Sequence, residues 1–166
     1  SEIMSGVLHG LAHAHSKSVI HRDIKPANIL VGTDNVPRIV DFGLARSISE
    51  EKQLTMAGEM VGTAYFMSPE QGLAGKVDAR ADLYAAGATF FYILTGRYPF
   101  DGKSSIEVIH KHISDPVPNI MLINPDVPPY SSIEMAMCWR LTRNWRNKAL
   151  TPMVSGTYRA SRAKSR

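Results

Sequence analysis

Between residues 2 and 16, apolar side chains recur at steps of three and four: Ile3, Met4, Val7, Leu8, Leu11 and Ala12, with His15 closing the stripe. That spacing gathers them on one side and predicts an amphipathic helix laid on a core. The pattern then shortens. Residues 19–21 (VIH), 29–31 and 38–40 are brief branched-apolar runs separated by polar stretches, which read as three strands, with a turn at Gly32–Asn35. From 43 to 75, Gly, Ser, Thr and Met are scattered without a sustained period, the pattern of a long functional loop. After Asp78, an N-cap candidate, ARADLYAAGATFFYILTG is apolar nearly all round and predicts a helix buried at the centre of the domain. Ser104 with Glu107 three residues on is a capping-box pattern, and it opens a helix carrying Ile106, Ile109 and Ile113. The proline-spaced stretch from Pro116 to Pro129 reads as loop. These elements predict an α+β fold, predominantly α, with a small β-hairpin.

Composition adds little until charge is mapped onto position. The 166 residues suffice for one domain with a core, and no apolar run is long enough to span a bilayer. The first residues, SEIMSG, lack the pattern of a secretory signal, and the single cysteine, Cys138, cannot form an internal disulfide. A cytoplasmic location is expected, with membrane anchoring of a longer parent left open. The net charge of +4 suggests a nucleic-acid partner only until it is divided. Residues 1–138 carry eleven basic and fifteen acidic side chains, a balance of −4, whereas residues 139–166 carry eight basic residues and no acids. The basic character belongs to the end of the chain, so no nucleic-acid partner is expected.

The stretch VIHRDIKPANILV, residues 19–31, sets charges between two apolar runs, which points to a loop held at both ends. Eighteen residues after Asp23, in RIVDFGLAR, Asp41 ends an apolar run and Gly43 permits a sharp turn. Hard cations such as magnesium take oxygen ligands, usually one or two protein groups together with substrate phosphates. Asp41 and Asn28 can hold such a metal–phosphate complex, which leaves Asp23 free to act as a base. His9 with His13, and His110 with His112, have spacings that suit a metal pair, but without a third ligand they read as solvated helix faces.

HRDIKPAN, DFG, GTAYFMSPEQ and DLYAAG, in this order and spacing, resemble the signature of protein kinases. The resemblance runs from residue 1 to about 138 and matches the large, mainly helical C-terminal lobe. Its SPEQ form is similar to the bacterial branch of Ser/Thr kinases. The resemblance implies that Asp23 orients the substrate hydroxyl and accepts its proton, that Lys25 neutralises charge on the transferred phosphoryl group, and that Asn28 and Asp41 hold magnesium bridging the phosphates of ATP. Lysine at position 25 implies protein substrates with Ser or Thr. Leu30 would lie under the adenine ring. His21 and Phe42 would stack in a hydrophobic spine, and Asp82 would accept backbone hydrogen bonds from the catalytic loop. Arg22 would pair with a phosphate on the activation segment. Of Ser47, Ser49, Thr55 and Thr63, the resemblance favours Thr55 as the phosphorylation site, while Thr63 would hydrogen-bond Asp23 and Lys25.

Two departures accompany the match. No glycine-rich loop, strand lysine of the VAIK type or partner glutamate precedes the catalytic loop, so the smaller N-terminal lobe is expected to be missing and the chain alone to be inactive. The family closes this lobe with an arginine that pairs with the glutamate of the SPE motif, here Glu70. LTRNWRNK, from Leu141, instead has Trp145 where proline is expected and Lys148 where that arginine is expected. Lysine cannot make arginine's bidentate contact. The expected organisation is therefore a kinase lobe over 1–138 and a basic, degenerate end or tail over 139–166. A non-catalytic interaction module and an inert fragment are the competing classes.

Overall fold

The computed structural model describes residues 2–42, 59–128 and 138–139. Helix α1, Glu2–Ser16, buries Met4, Val7 and Leu11, the centre of the predicted stripe. Burying each of these side chains stabilises the fold by about 1.5–3 kcal/mol. They meet Ile24, Ala85, Ala86 and Phe90 in one of two apolar clusters. Behind α1 lies an antiparallel hairpin of β1, Ile29–Val31, and β2, Pro37–Ile39, with Ile29 opposite Ile39. Helix and hairpin approach closely at Gly6, where a Cβ would stand 2.5 Å from Cγ of Pro37.

Helix α2, Glu59–Ala64, and helix α3, Pro69–Gly72, are short and pack against α5, Ser105–Ser114. Helix α4, Ala79–Thr95, is the central element. Asp78 caps its N-terminus by accepting from Arg80 N, and Gly96 follows it in the left-handed region. One side of α4 supplies Ala85, Ala86 and Phe90 to the first cluster. The other supplies Tyr84, Ala88 and Phe91 to a second, completed by Phe66, Ile120, Val127 and Trp139. Trp139 is 1% exposed, and its indole Nε1 donates to Tyr84 O at 3.1 Å. Only glycine at position 87 lets the ring lie there, because a Cβ would stand 2.7 Å from Nε1. Cys138 and Trp139, on either side of the boundary expected from charge, are both buried.

Several expectations are corrected. Residues 19–21 form no strand: Ser18 is left-handed, Val19 N closes back on Ala14 O, and His21 N is taken by the side chain of Asp82. A ladder would need those groups. The strand expected at 38–40 is Pro37–Ile39. The described part of the expected 43–75 loop holds α2 and α3, too short to show a period. Within 116–129, Ile120–Leu122 forms a 3-10 turn. In α5 the buried positions are Val108 and His112, whereas Ile106 is 77% exposed. His112 is therefore no solvated residue; its Nδ1 lies 2.8 Å from the Tyr84 hydroxyl.

Candidate functional site

The loop from His21 to Asn28 is suspended between α1 and β1 and fixed from beneath by α4. Asp82, buried in α4's first turn, accepts from His21 N at 2.9 Å and from His15 Nε2 at 2.7 Å through Oδ2, and from Arg22 N at 2.7 Å through Oδ1. A buried carboxylate needs such donors, and here every one comes from the segment running from the end of α1 into the loop. The clamp sets an unusual backbone: Arg22 has φ +71°. His21 is buried and donates from Nε2 to Val40 O at 2.8 Å, while its Nδ1 accepts from Asp23 N at 3.2 Å. A carbonyl only accepts, so the Nε2–H tautomer satisfies both contacts. Phe42 meets the same imidazole edge-on, with ring centroids 4.7 Å apart.

These supports leave Asp23 and Lys25 partly exposed and facing one another. Lys25 Nζ lies 2.8 Å from Asp23 Oδ2 and 3.5 Å from Thr63 Oγ1 in α2. Asn28, 5% exposed, donates from Nδ2 to Asp23 O at 2.8 Å and to Asp23 Oδ2 at 3.2 Å. Its Oδ1 has no hydrogen-bond donor among the described residues. Asn28 also opens the hairpin: Val40 N donates to Asn28 O at 3.0 Å, so Asp41 follows the residue paired with it. Asp41 has φ +63°, a left-handed conformation uncommon outside glycine, Asn and Asp, and its side chain is exposed. The donor set suits a hard cation: an amide oxygen and a carboxylate carried by neighbouring parts of the hairpin.

The remaining expected residues divide by position. Leu30 is 54% exposed on β1, and Val31 and Val36 of the same hairpin are exposed as well. Arg22 presents an exposed guanidinium with no side-chain partner among the described residues. Glu70 lies in the first turn of α3. Thr63 Oγ1 accepts from Lys25 at 3.5 Å, and among the described residues it makes no hydrogen bond to Asp23. Gly43, Ser47, Ser49, Thr55, Trp145 and Lys148 lie outside the described residues. Two participants are not evident from sequence. His15, which reads as part of the apolar stripe, is a donor to Asp82. Gln71, the last letter of SPEQ, donates from Nε2 to Arg22 O at 2.7 Å. Ser68 to Gln71 has the S-x-x-Q spacing of a capping box, the one signal in the sequence that marks it.

A family model described as the protein kinase domain matches residues 1–157. The DNA damage-responsive serine/threonine-protein kinase RqkA of Deinococcus radiodurans is 37% identical over 93% of this chain and 25% of its own length. The probable serine/threonine-protein kinase PknB of Lactococcus lactis is 39% identical over 76% of the chain and 20% of its own length. The serine/threonine-protein kinase PknB of Mycobacterium leprae is 41% identical over 70% of the chain and 19% of its own length. The chain thus spans a quarter or less of the length of these relatives.

Proposed function

Because the chain belongs to the protein kinase family, we propose that it carries the phosphoacceptor and metal-binding half of a serine/threonine kinase site, which moves the γ-phosphoryl group of ATP to a protein hydroxyl. The observation that carries this reading is the arrangement around Asp23: Lys25 at 2.8 Å, Asn28 at 3.2 Å, and the whole loop clamped by Asp82. The protein hydroxyl docks beside Asp23, its oxygen bonds to the γ-phosphorus as the bond to the bridging oxygen breaks, and its proton passes to the Asp23 carboxylate. Lys25 offsets the negative charge of the transferred group while keeping Asp23 oriented. Asn28 Oδ1 and the Asp41 carboxylate would hold magnesium, which when bound neutralises phosphate charge. Leu30 offers the apolar surface for adenine. Phosphoryl transfer asks mainly for positioning and charge neutralisation, and a locked loop bearing a base and a cation provides both.

Serine or threonine as acceptor rests on Lys25 and on the named relatives, and the contact of Lys25 with Thr63 gives that lysine a second anchor. Partners are accordingly ATP and Ser/Thr-bearing proteins. No helix among the described residues is long and apolar enough to cross a membrane. The test is phosphoamino-acid analysis of a generic protein substrate incubated with labelled magnesium-ATP and the full-length protein that carries this chain. Label on serine or threonine supports the reading; label on tyrosine alone, or none, overturns it.

A further inference from the structure

The end of the activation segment is tied to the catalytic loop through one side chain. Gln71 Nε2 donates to Arg22 O at 2.7 Å, and Gln71 Oε1 accepts from Ser68 N at 3.2 Å and Ser68 Oγ at 2.9 Å. The carboxamide therefore uses both its ends, one to hold its own turn and one to hold the loop. Arg22 is the left-handed residue of that loop, with its amide already bound to Asp82. The carbonyl that Gln71 holds shares its peptide plane with the amide of Asp23, which in turn bonds His21 Nδ1. Fixing that carbonyl fixes the direction in which the chain leaves Arg22, and so where the Asp23 side chain points. No other donor to Arg22 O occurs among the described residues.

We propose that Gln71 is a positioning residue: its N–H group holds the Arg22–Asp23 peptide in place and couples the order of the SPEQ turn to the placement of Asp23. The proposal rests on Asp23 as the base. Two variants of the full-length protein separate this role from simple helix capping. Gln71→Glu keeps an acceptor for Ser68, as a glutamate does in a capping box, but has no N–H for Arg22 O. Ser68→Ala removes a capping partner and leaves the Gln71–Arg22 bond intact. Gln71→Glu should lower kcat at least tenfold with KM for ATP unchanged, and quicken amide hydrogen exchange at Arg22 and Asp23. Ser68→Ala should lower Tm while leaving kcat within twofold. Gln71→Glu with wild-type kcat and exchange overturns the proposal, as does an equal loss of kcat in both variants, which would reduce Gln71 to a cap. Faster exchange in Gln71→Glu in a protein whose wild type transfers no phosphate would keep the tie and refute the kinase reading instead.

Discussion

Asp82→Asn tests how the fold holds the loop from His21 to Asn28. The substitution preserves shape and removes one acceptor oxygen. In the best orientation the amide oxygen replaces Oδ2 and keeps His21 N and His15 Nε2, whereas the new NH2 faces Arg22 N, which now donates at 2.7 Å. Leaving that backbone N–H without a partner costs about 1–3 kcal/mol, and the two surviving bonds weaken from charged to neutral strength by about 1 kcal/mol each. Part of this returns if Arg22 relaxes from φ +71°, a conformation costing about 1–2 kcal/mol for a non-glycine residue. The expected loss is about 2–3 kcal/mol. At ~2–4 °C per kcal/mol for a domain of this size class, Tm should fall by about 4–12 °C. Urea unfolding followed by tryptophan fluorescence, and a thermal scan, measure it. A loss below ~0.5 kcal/mol would refute the reasoning, since the carboxylate would then contribute nothing that an amide does not.

Other substitutions probe separate parts of the account. Gly87→Ala forces a Cβ to within 2.7 Å of Trp139 Nε1 and should cost about 1–3 kcal/mol, with a red-shifted tryptophan emission as the indole leaves its site. The Arg80 guanidinium, through its side-chain hydrogen bond, holds the Asp78 carboxyl below its usual value. With the folded value below the unfolded one, the stability it contributes is present above about pH 4 and is lost as pH falls through the folded value. Asp78→Asn should therefore flatten the acid limb of a stability–pH curve, and an unchanged limb would count against the Asp78–Arg80 pair. Thr55→Ala should lower the activity of the full-length protein and its phosphate content; no change in either would remove Thr55 as the partner of the exposed Arg22.

What is legible in the sequence follows from range. The α1 stripe, the all-apolar α4 and the caps at Asp78 and Ser104 are set by neighbours within four residues, and spacing alone reveals them. The strand expected at 19–21 fails because of Asp82, sixty-one residues beyond His21, which takes the amide that a ladder would have used. His15 and His112 look like stripe or solvated residues until folding brings Asp82 to one and Tyr84 to the other. The isoleucines of α5 stand out by hydrophobicity, whereas nothing local shows that the Tyr84 hydroxyl waits for His112. Trp139 lies in a basic stretch whose composition suggests a tail, yet its packing depends on a glycine on a distant helix. The charged loop is recognisable through its motif; the clamps that shape it, Asp82 beneath and Gln71 beside, become visible only in the fold.

The measurement that bears most directly on the central claim compares the full-length protein with its Asp23→Asn variant for two quantities: magnesium-ATP affinity and the rate of phosphate transfer to a protein hydroxyl. Asn28 keeps its bond to Asp23 O and Asp41 is unchanged, so the account predicts affinity within about threefold of wild type, and transfer lower by at least the ~10²–10⁴-fold ascribed to a positioned base. Transfer at the wild-type rate with Asp23 removed would contradict it.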